Sequence, residues 1–206
     1  MHTALEKAAL NTITVIDFET TGLSPTMGDR STEVAIVMVQ GGKQVDRFQS
    51  LMNAGVRIPS FIETLTGITN KMIAAAPSAK EVMTRASRFV GNAPMVAHNA
   101  SFDRRFWIAE MQRAGHAAPQ PFACTMLLSR RLYPQALNHK LGTMADFHGL
   151  SFSGRAHRAL ADAEMAAALL ECLQRDLREH FHVNDPGHEL LMKLQTCKSN
   201  ALLREI

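Results

Sequence analysis

Residues 13–18, Ile-Thr-Val-Ile-Asp-Phe, form a β-branched apolar run closed by Thr20-Thr21-Gly22. Apolar side chains on both parities predict a strand covered on both faces, and hence a central one. Two further strand-like runs, 32–39 and 44–51, flank Gly41-Gly42, a pair suited to a tight hairpin turn. The sheet is therefore expected to open as a three-stranded antiparallel meander. Pro59 and Pro77 punctuate a stretch with short helices near 60–65 and 69–74. Ser78 with Glu81 three residues on has capping-box spacing and predicts a helix through about Val90. A short strand at 94–97 leads to a helix over 102–114 that Gly115 closes, and residues 122–125 read as a last strand. Helices near 125–132 and 139–147 and a long one over 156–181 follow. Pro186-Gly187 breaks the chain before a final short helix within 188–205. This order, meander, then alternating helix and strand, then helices, predicts a mixed sheet flanked by helices, an α/β fold. The expected division is a main domain over 1–185 and a short helical extension over 186–206.

Composition adds limits rather than identity. The 206 residues are 46% hydrophobic and 20% charged, as expected of a globular chain with a real core. A formal net charge of +3 permits a polyanionic partner without demanding one. Cys124, Cys172 and Cys197 are widely spaced and form no CxxC pair, so they read as reduced thiols of a reducing compartment. The first twelve residues carry charges and no apolar core of a secretory signal, and no apolar stretch approaches the ~20 residues that cross a bilayer. No membrane association is expected, and the cytoplasm is the expected location.

Three short clusters carry the candidate chemistry. Asp17 and Glu19 are two apart on the first strand and so share a face. Paired carboxylates repel unless a cation bridges them, and hard oxygen ligands suit magnesium or manganese. A polar strand end paired with Arg or Lys is the ordinary alternative. Asp103 opens a helix, where a negative charge is favourable in its own right. His157 and Asp162 lie five apart near the start of the long helix. Residues i and i+5 are about 140° apart on a helix, so His157 is placed on the loop or first turn, free to swing over a site that Asp162 lines. A histidine there can accept a proton near neutral pH; a solvent-facing side chain beside Arg155 and Arg158 is the alternative.

Taken together and in order, the clusters resemble the DEDDh group of the DnaQ-like 3′–5′ exonuclease superfamily, which includes the epsilon subunit of bacterial DNA polymerase III. Asp17-Phe18-Glu19-Thr20-Thr21-Gly22 is similar to the first exonuclease motif, His98 to Asp103 (HNASFD) to the second, and His157 to Ala163 (HRALADA) to the third. The segments IPSFIETLTGIT and CTMLLSRRLYP also resemble family segments, and the likeness covers roughly residues 12–180. It implies a ribonuclease-H-like fold with a five-stranded mixed sheet and two divalent ions, Mg2+ or Mn2+. Asp17, Glu19 and Asp162 would hold the first ion; Asp17 would bridge to the second, with Asp103 holding that region directly or through water. His157 would be the general base. Thr20, Thr21 and Gly22 would meet the terminal nucleotide, and Asn99 and Phe102 would shape its pocket.

The activity implied is release of nucleoside 5′-monophosphates from the 3′ end of DNA, in epsilon-like proofreading or repair, with single-stranded or 3′-end nucleic acid as the partner. The epsilon likeness favours DNA over RNA, although neither metals nor histidine inspects the 2′-hydroxyl. Trimming of RNA or short oligonucleotides, or a non-catalytic module of a polymerase, are the rival readings. A polymerase partner is implied by the family, but LQTCKSNALL has no aromatic anchor for a clamp-binding peptide. Relatives include monomers and dimers, which leaves a homodimer open. Trp107 is expected in the core. Met27 follows the first motif in a loop near the expected substrate path. Arg130, Arg131, His139 and Lys140 make a loosely basic region, either solvated or a phosphate-tracking rim.

Overall fold

Strand β1 (Thr12–Thr20) is buried almost throughout and lies in the middle of the sheet, as its doubly apolar pattern requires. The structure is a computed structural model and describes residues 12–151 and 157–197. β2 (Ser31–Gln40) pairs antiparallel with β1, and β3 (Lys43–Leu51) antiparallel with β2. The hairpin turns at Gly41 and Gly42 with φ of 57° and 80°, a left-handed pair that glycine adopts without a side-chain clash. β4 (Met95–Ala97) and β5 (Phe122–Cys124) add parallel strands, giving the order β3-β2-β1-β4-β5.

Helices α1 (Ser60–Thr66) and α2 (Asn70–Ala74) fill the Pro59–Pro77 interval. α3 (Ala79–Val90) starts at Ser78, whose hydroxyl accepts the Glu81 N–H at 3.2 Å. It packs with α4 (Ser101–Ala114) on one face of the sheet, over Ile16, Phe18, Val34 and Ile36. The other face, carrying Ile13, Val15, Ala35 and Val37, is covered by α5 (Thr125–Leu132), α6 (Leu141–Phe147) and above all α7 (Ala159–Phe181). The parity of β1 therefore decides the site. Residues 17 and 19 continue the 13–15 series and point toward the α7 layer. Trp107 lies wholly in the core between α4 and the sheet, with its indole N–H donating to Gln120 Oε1 at 3.1 Å.

Two helix starts differ from the expectation. The long helix begins at Ala159 rather than 156, because His157 has φ 60° and Arg158 is extended, which stops the helical ladder. α6 begins at Leu141 rather than 139, after an extended Lys140. The last helix, α8 (His188–Thr196), covers the free edge of β5: Gln195 Oε1 accepts the Cys124 N–H at 2.7 Å and its amide donates to the Phe122 carbonyl at 3.2 Å. An open strand edge is thereby closed by one side chain. The expected continuation of this helix to 205 lies outside the described residues. No helix among the described residues is long and apolar enough to cross a membrane.

Candidate active site

The end of β1 and the first turn of α7 bring Asp17, Glu19 and Asp162 together. One carboxylate oxygen from each lies within 4.8 Å of the others. Asp162 Oδ2 also accepts the backbone N–H of His157 at 3.1 Å, so histidine and aspartate are tied although they cannot share a helical face. His157 lines the same open cavity as Asp17 and Asp162, about 590 Å3 in volume, which His98, Asn99 and Lys140 also line.

This crowding is expensive without a cation. Burial, then the neighbouring carboxylates of Asp103, Asp162, Glu19 and Glu33, hold the Asp17 acid well above the usual range. Burial, then Asp162 and Glu33, push Glu19 up to about 8, against a lowering influence from Arg158. Asp162 is also raised by burial, less the effect of His157. Three oxygen donors at this spacing, each with its pKa raised when left to itself, fit a hard divalent cation.

Asp103 comes from the opposite layer. It is buried at the start of α4, and its Oδ1 accepts the Phe18 N–H at 3.1 Å, between Asp17 and Glu19 in the chain. It stands outside the close oxygen triad, and burial raises its acid to about 8 despite two backbone hydrogen bonds. Thr20 Oγ1 donates to the Gly22 carbonyl at 2.6 Å, and Thr21 Oγ1 accepts the Arg30 N–H at 3.0 Å. Both hydroxyls thus shape the turn that follows the carboxylates. Gly22 has a local cause as well: a Cβ there would come within 2.4 Å of Asp29 Oδ1, whose carboxylate closes the turn by accepting the Ser24 N–H at 2.9 Å. Asn99 reaches the cavity from a left-handed backbone, φ 65°, an uncommon conformation for a side-chain-bearing residue. Phe102 is half-buried, with its ring 5.0 Å from that of Phe106. Met27 is exposed after the first motif. The basic region divides. Lys140 lines the cavity, whereas Arg131 Nε is turned to the Cys197 carbonyl at 2.9 Å.

Three groups escaped the sequence reading. His98, inside the second motif, bridges Thr125 Oγ1 and the His139 carbonyl, each at 2.9 Å. Burial lowers its pKa to about 4, so it stays neutral. Two buried glutamates each hold an arginine in a two-pronged grip: Glu110 on α4 with Arg30, and Glu33 on β2 with Arg158. His98 stood in plain view within HNASFD; the glutamate pairs gave no local signal.

Residues 14–170 match the sequence profile of the RNase T exonuclease family. The chain belongs to that exonuclease family. The likeness is strong among curated relatives: 37% identity over 183 residues to the PolC-type DNA polymerase III of Bacillus cereus, and 36% over 193 residues to the 3′-5′ exonuclease DinG of Bacillus subtilis. In both cases 86% of the chain is covered, but it spans only 13% and 20% of the relatives' own lengths. Among solved exonucleases, Exonuclease X in complex with 5′ overhanging duplex DNA superposes with a TM-score of 0.71 at 28% identity, covering 89% of this chain and 99% of that one. The sheet order and helical layers described above are those of the ribonuclease-H-like exonuclease fold, the class that the motifs implied.

Proposed function

We propose that the protein is a divalent-metal-dependent 3′–5′ exonuclease that removes nucleoside 5′-monophosphates from the 3′ end of DNA. The observation that carries this reading is the meeting of Asp17, Glu19 and Asp162 oxygens within 4.8 Å, with His157 bonded to Asp162 at the rim. Asp17, Glu19 and Asp162 would hold the first of two ions and Asp17 would bridge to the second. Asp103 supports that region by fixing the backbone between Asp17 and Glu19. Bound divalent ions supply charge for the phosphate oxygens and a more acidic water. His157 takes a proton from the attacking water as its oxygen bonds to phosphorus. The bond to the 3′ oxygen breaks, and that oxygen is reprotonated from solvent. The turn Thr20-Thr21-Gly22 presents its backbone to the terminal nucleotide, with Asn99 and Phe102 framing the pocket. Lys140, on the cavity wall, offers a cation to the phosphate backbone. DNA is favoured because the relatives named above include a DNA polymerase and an exonuclease seen with duplex DNA. The same polymerase likeness suggests a polymerase as a partner.

The test compares 3′-labelled single-stranded DNA, a 3′-mismatched duplex and RNA of the same sequence, with magnesium, manganese or chelator. Release of labelled mononucleotide from DNA, abolished by chelator, is expected. Faster release from RNA than from either DNA would overturn the substrate assignment.

A further inference from the structure

Glu33 stands on β2 directly opposite Glu19, on the face that carries the metal-ligand candidates, and is wholly buried. A buried carboxylate is costly unless its oxygens are satisfied. Those of Glu33 are filled from two directions. Oε2 accepts Arg158 Nε at 3.1 Å and the Ala159 N–H at 3.2 Å; Oε1 accepts Arg158 Nη2 at 2.9 Å and the Gln49 amide at 2.8 Å. Three of these four donors belong to the two residues that join His157 to α7. Ala159 is the first residue of that helix, where the N–H groups lack intrahelical partners and favour a negative charge.

The connection has a mechanical consequence. Asp162 is one turn further along α7, and His157 is one residue before Arg158. Glu33 is paired in register with Glu19, so the strand pair that carries the first carboxylates also grips the arm that carries the last two site residues. Gln49 on β3 steadies the carboxylate from the far side. We propose that Glu33 is a positioning residue for hydrolysis: through its fork on Arg158 and its bond to Ala159 it sets the start of α7 so that His157 and Asp162 meet Asp17 and Glu19. The role rests on the exonuclease reading above, and Glu33 is assigned no contact with substrate or metal.

The test uses the full-length protein and an oligonucleotide substrate at saturating magnesium. Glu33→Gln keeps the shape and removes the charge that draws Arg158; it should lower kcat on the order of 10- to 100-fold, as expected for sub-ångström to ångström misplacement of a catalytic group, with KM within about threefold. Combined with Arg158→Met it should cost no more than the worse single change, and in a His157→Ala background it should cost less than in wild type, because one of the two groups it positions is gone. Amide exchange supplies a readout without catalysis: residues 157–163 should exchange faster in Glu33→Gln while β1 and α4 keep their protection. If Glu33→Gln does not fold, Glu33→Asp keeps the charge, withdraws the grip by one methylene, and is expected to show the same split. A variant that melts earlier but turns over at the wild-type kcat would overturn the proposal, as would full additivity with His157→Ala. A wild-type protein that releases no nucleotide would overturn the exonuclease reading instead. The grip would then be decided by exchange alone, with unchanged protection at 157–163 refuting it.

Discussion

Asp162 accepts the backbone N–H of His157 at 3.1 Å, so the proposed base hangs from one of the proposed metal ligands. The bond uses the main chain of the histidine and not its ring, and the residue lines the cavity. Removing the ring should therefore leave the carboxylates in place. His157→Ala is expected to lower kcat by about 10²- to 10⁴-fold, the range for loss of a general base. Its Mn2+ affinity, measured by titration, should stay within about threefold of wild type. Equal loss of metal binding and turnover would contradict a proton-transfer role.

Asp17 is different in kind, because it is central to the triad and flanked by four other acids. Asp17→Ala should reduce exonuclease activity on the order of 10³-fold or more, since several kcal/mol of charge stabilisation depends on the bound ions. The fold should survive, because removing one of several crowded carboxylates relieves repulsion. Circular dichroism and thermal melting would check this; a fully active variant would refute the metal assignment.

The same crowding gives a pH dependence in metal-free protein. Glu19 and Asp103 are held near 8 when folded, whereas an unfolded carboxyl ionises near pH ~4. Between those values the folded state binds more protons than the unfolded one, so stability falls as pH rises. His98 works the opposite way, lowered to about 4, but its contribution is complete once the unfolded imidazole is neutral above pH ~6.5. The carboxylates therefore dominate between about pH 6.5 and 8. Thermal melts in chelator should show a falling Tm across that window, and magnesium should restore more at the alkaline end. A Tm that rises with pH in chelator would contradict the shifts.

The turn after β1 can be tested without catalysis. Gly22→Ala places a Cβ 2.4 Å from Asp29 Oδ1 and must displace a carboxylate that also holds the Ser24 N–H. The expected cost is about 1–3 kcal/mol in denaturant unfolding. Adding Asp29→Ala should recover part of it, because the two changes share one contact. Strict additivity would place the strain elsewhere.

Much of this molecule was legible in its sequence because the signals are local. The run 13–18 announced a doubly buried strand, Gly41-Gly42 a hairpin, and Ser78 with Glu81 a helix start. The residues of the acidic triad stood out through their motifs, and β-strand parity alone put Asp17 and Glu19 on one face. What stayed hidden depends on distance in the chain. Glu33 reads as one polar position in an apolar strand, and its partner Arg158 is 125 residues away. The same holds for Glu110 and Arg30, 80 residues apart. The start of α7 was misplaced by three residues because its cap is that remote glutamate and not a neighbouring Ser or Asp. Gly22 was expected to meet the terminal nucleotide; that its lack of a side chain also leaves space for the Asp29 carboxylate depends on a residue seven positions on.

Direction of attack and dependence on metal together test the central claim most directly. A 5′-labelled single-stranded DNA, sampled over time with magnesium and then with chelator, would report both. The account predicts a ladder that shortens one nucleotide at a time from the 3′ end, stops when chelator is added, and is absent for Asp17→Ala. A ladder that persists in chelator, or cleavage of circular single-stranded DNA, would contradict it.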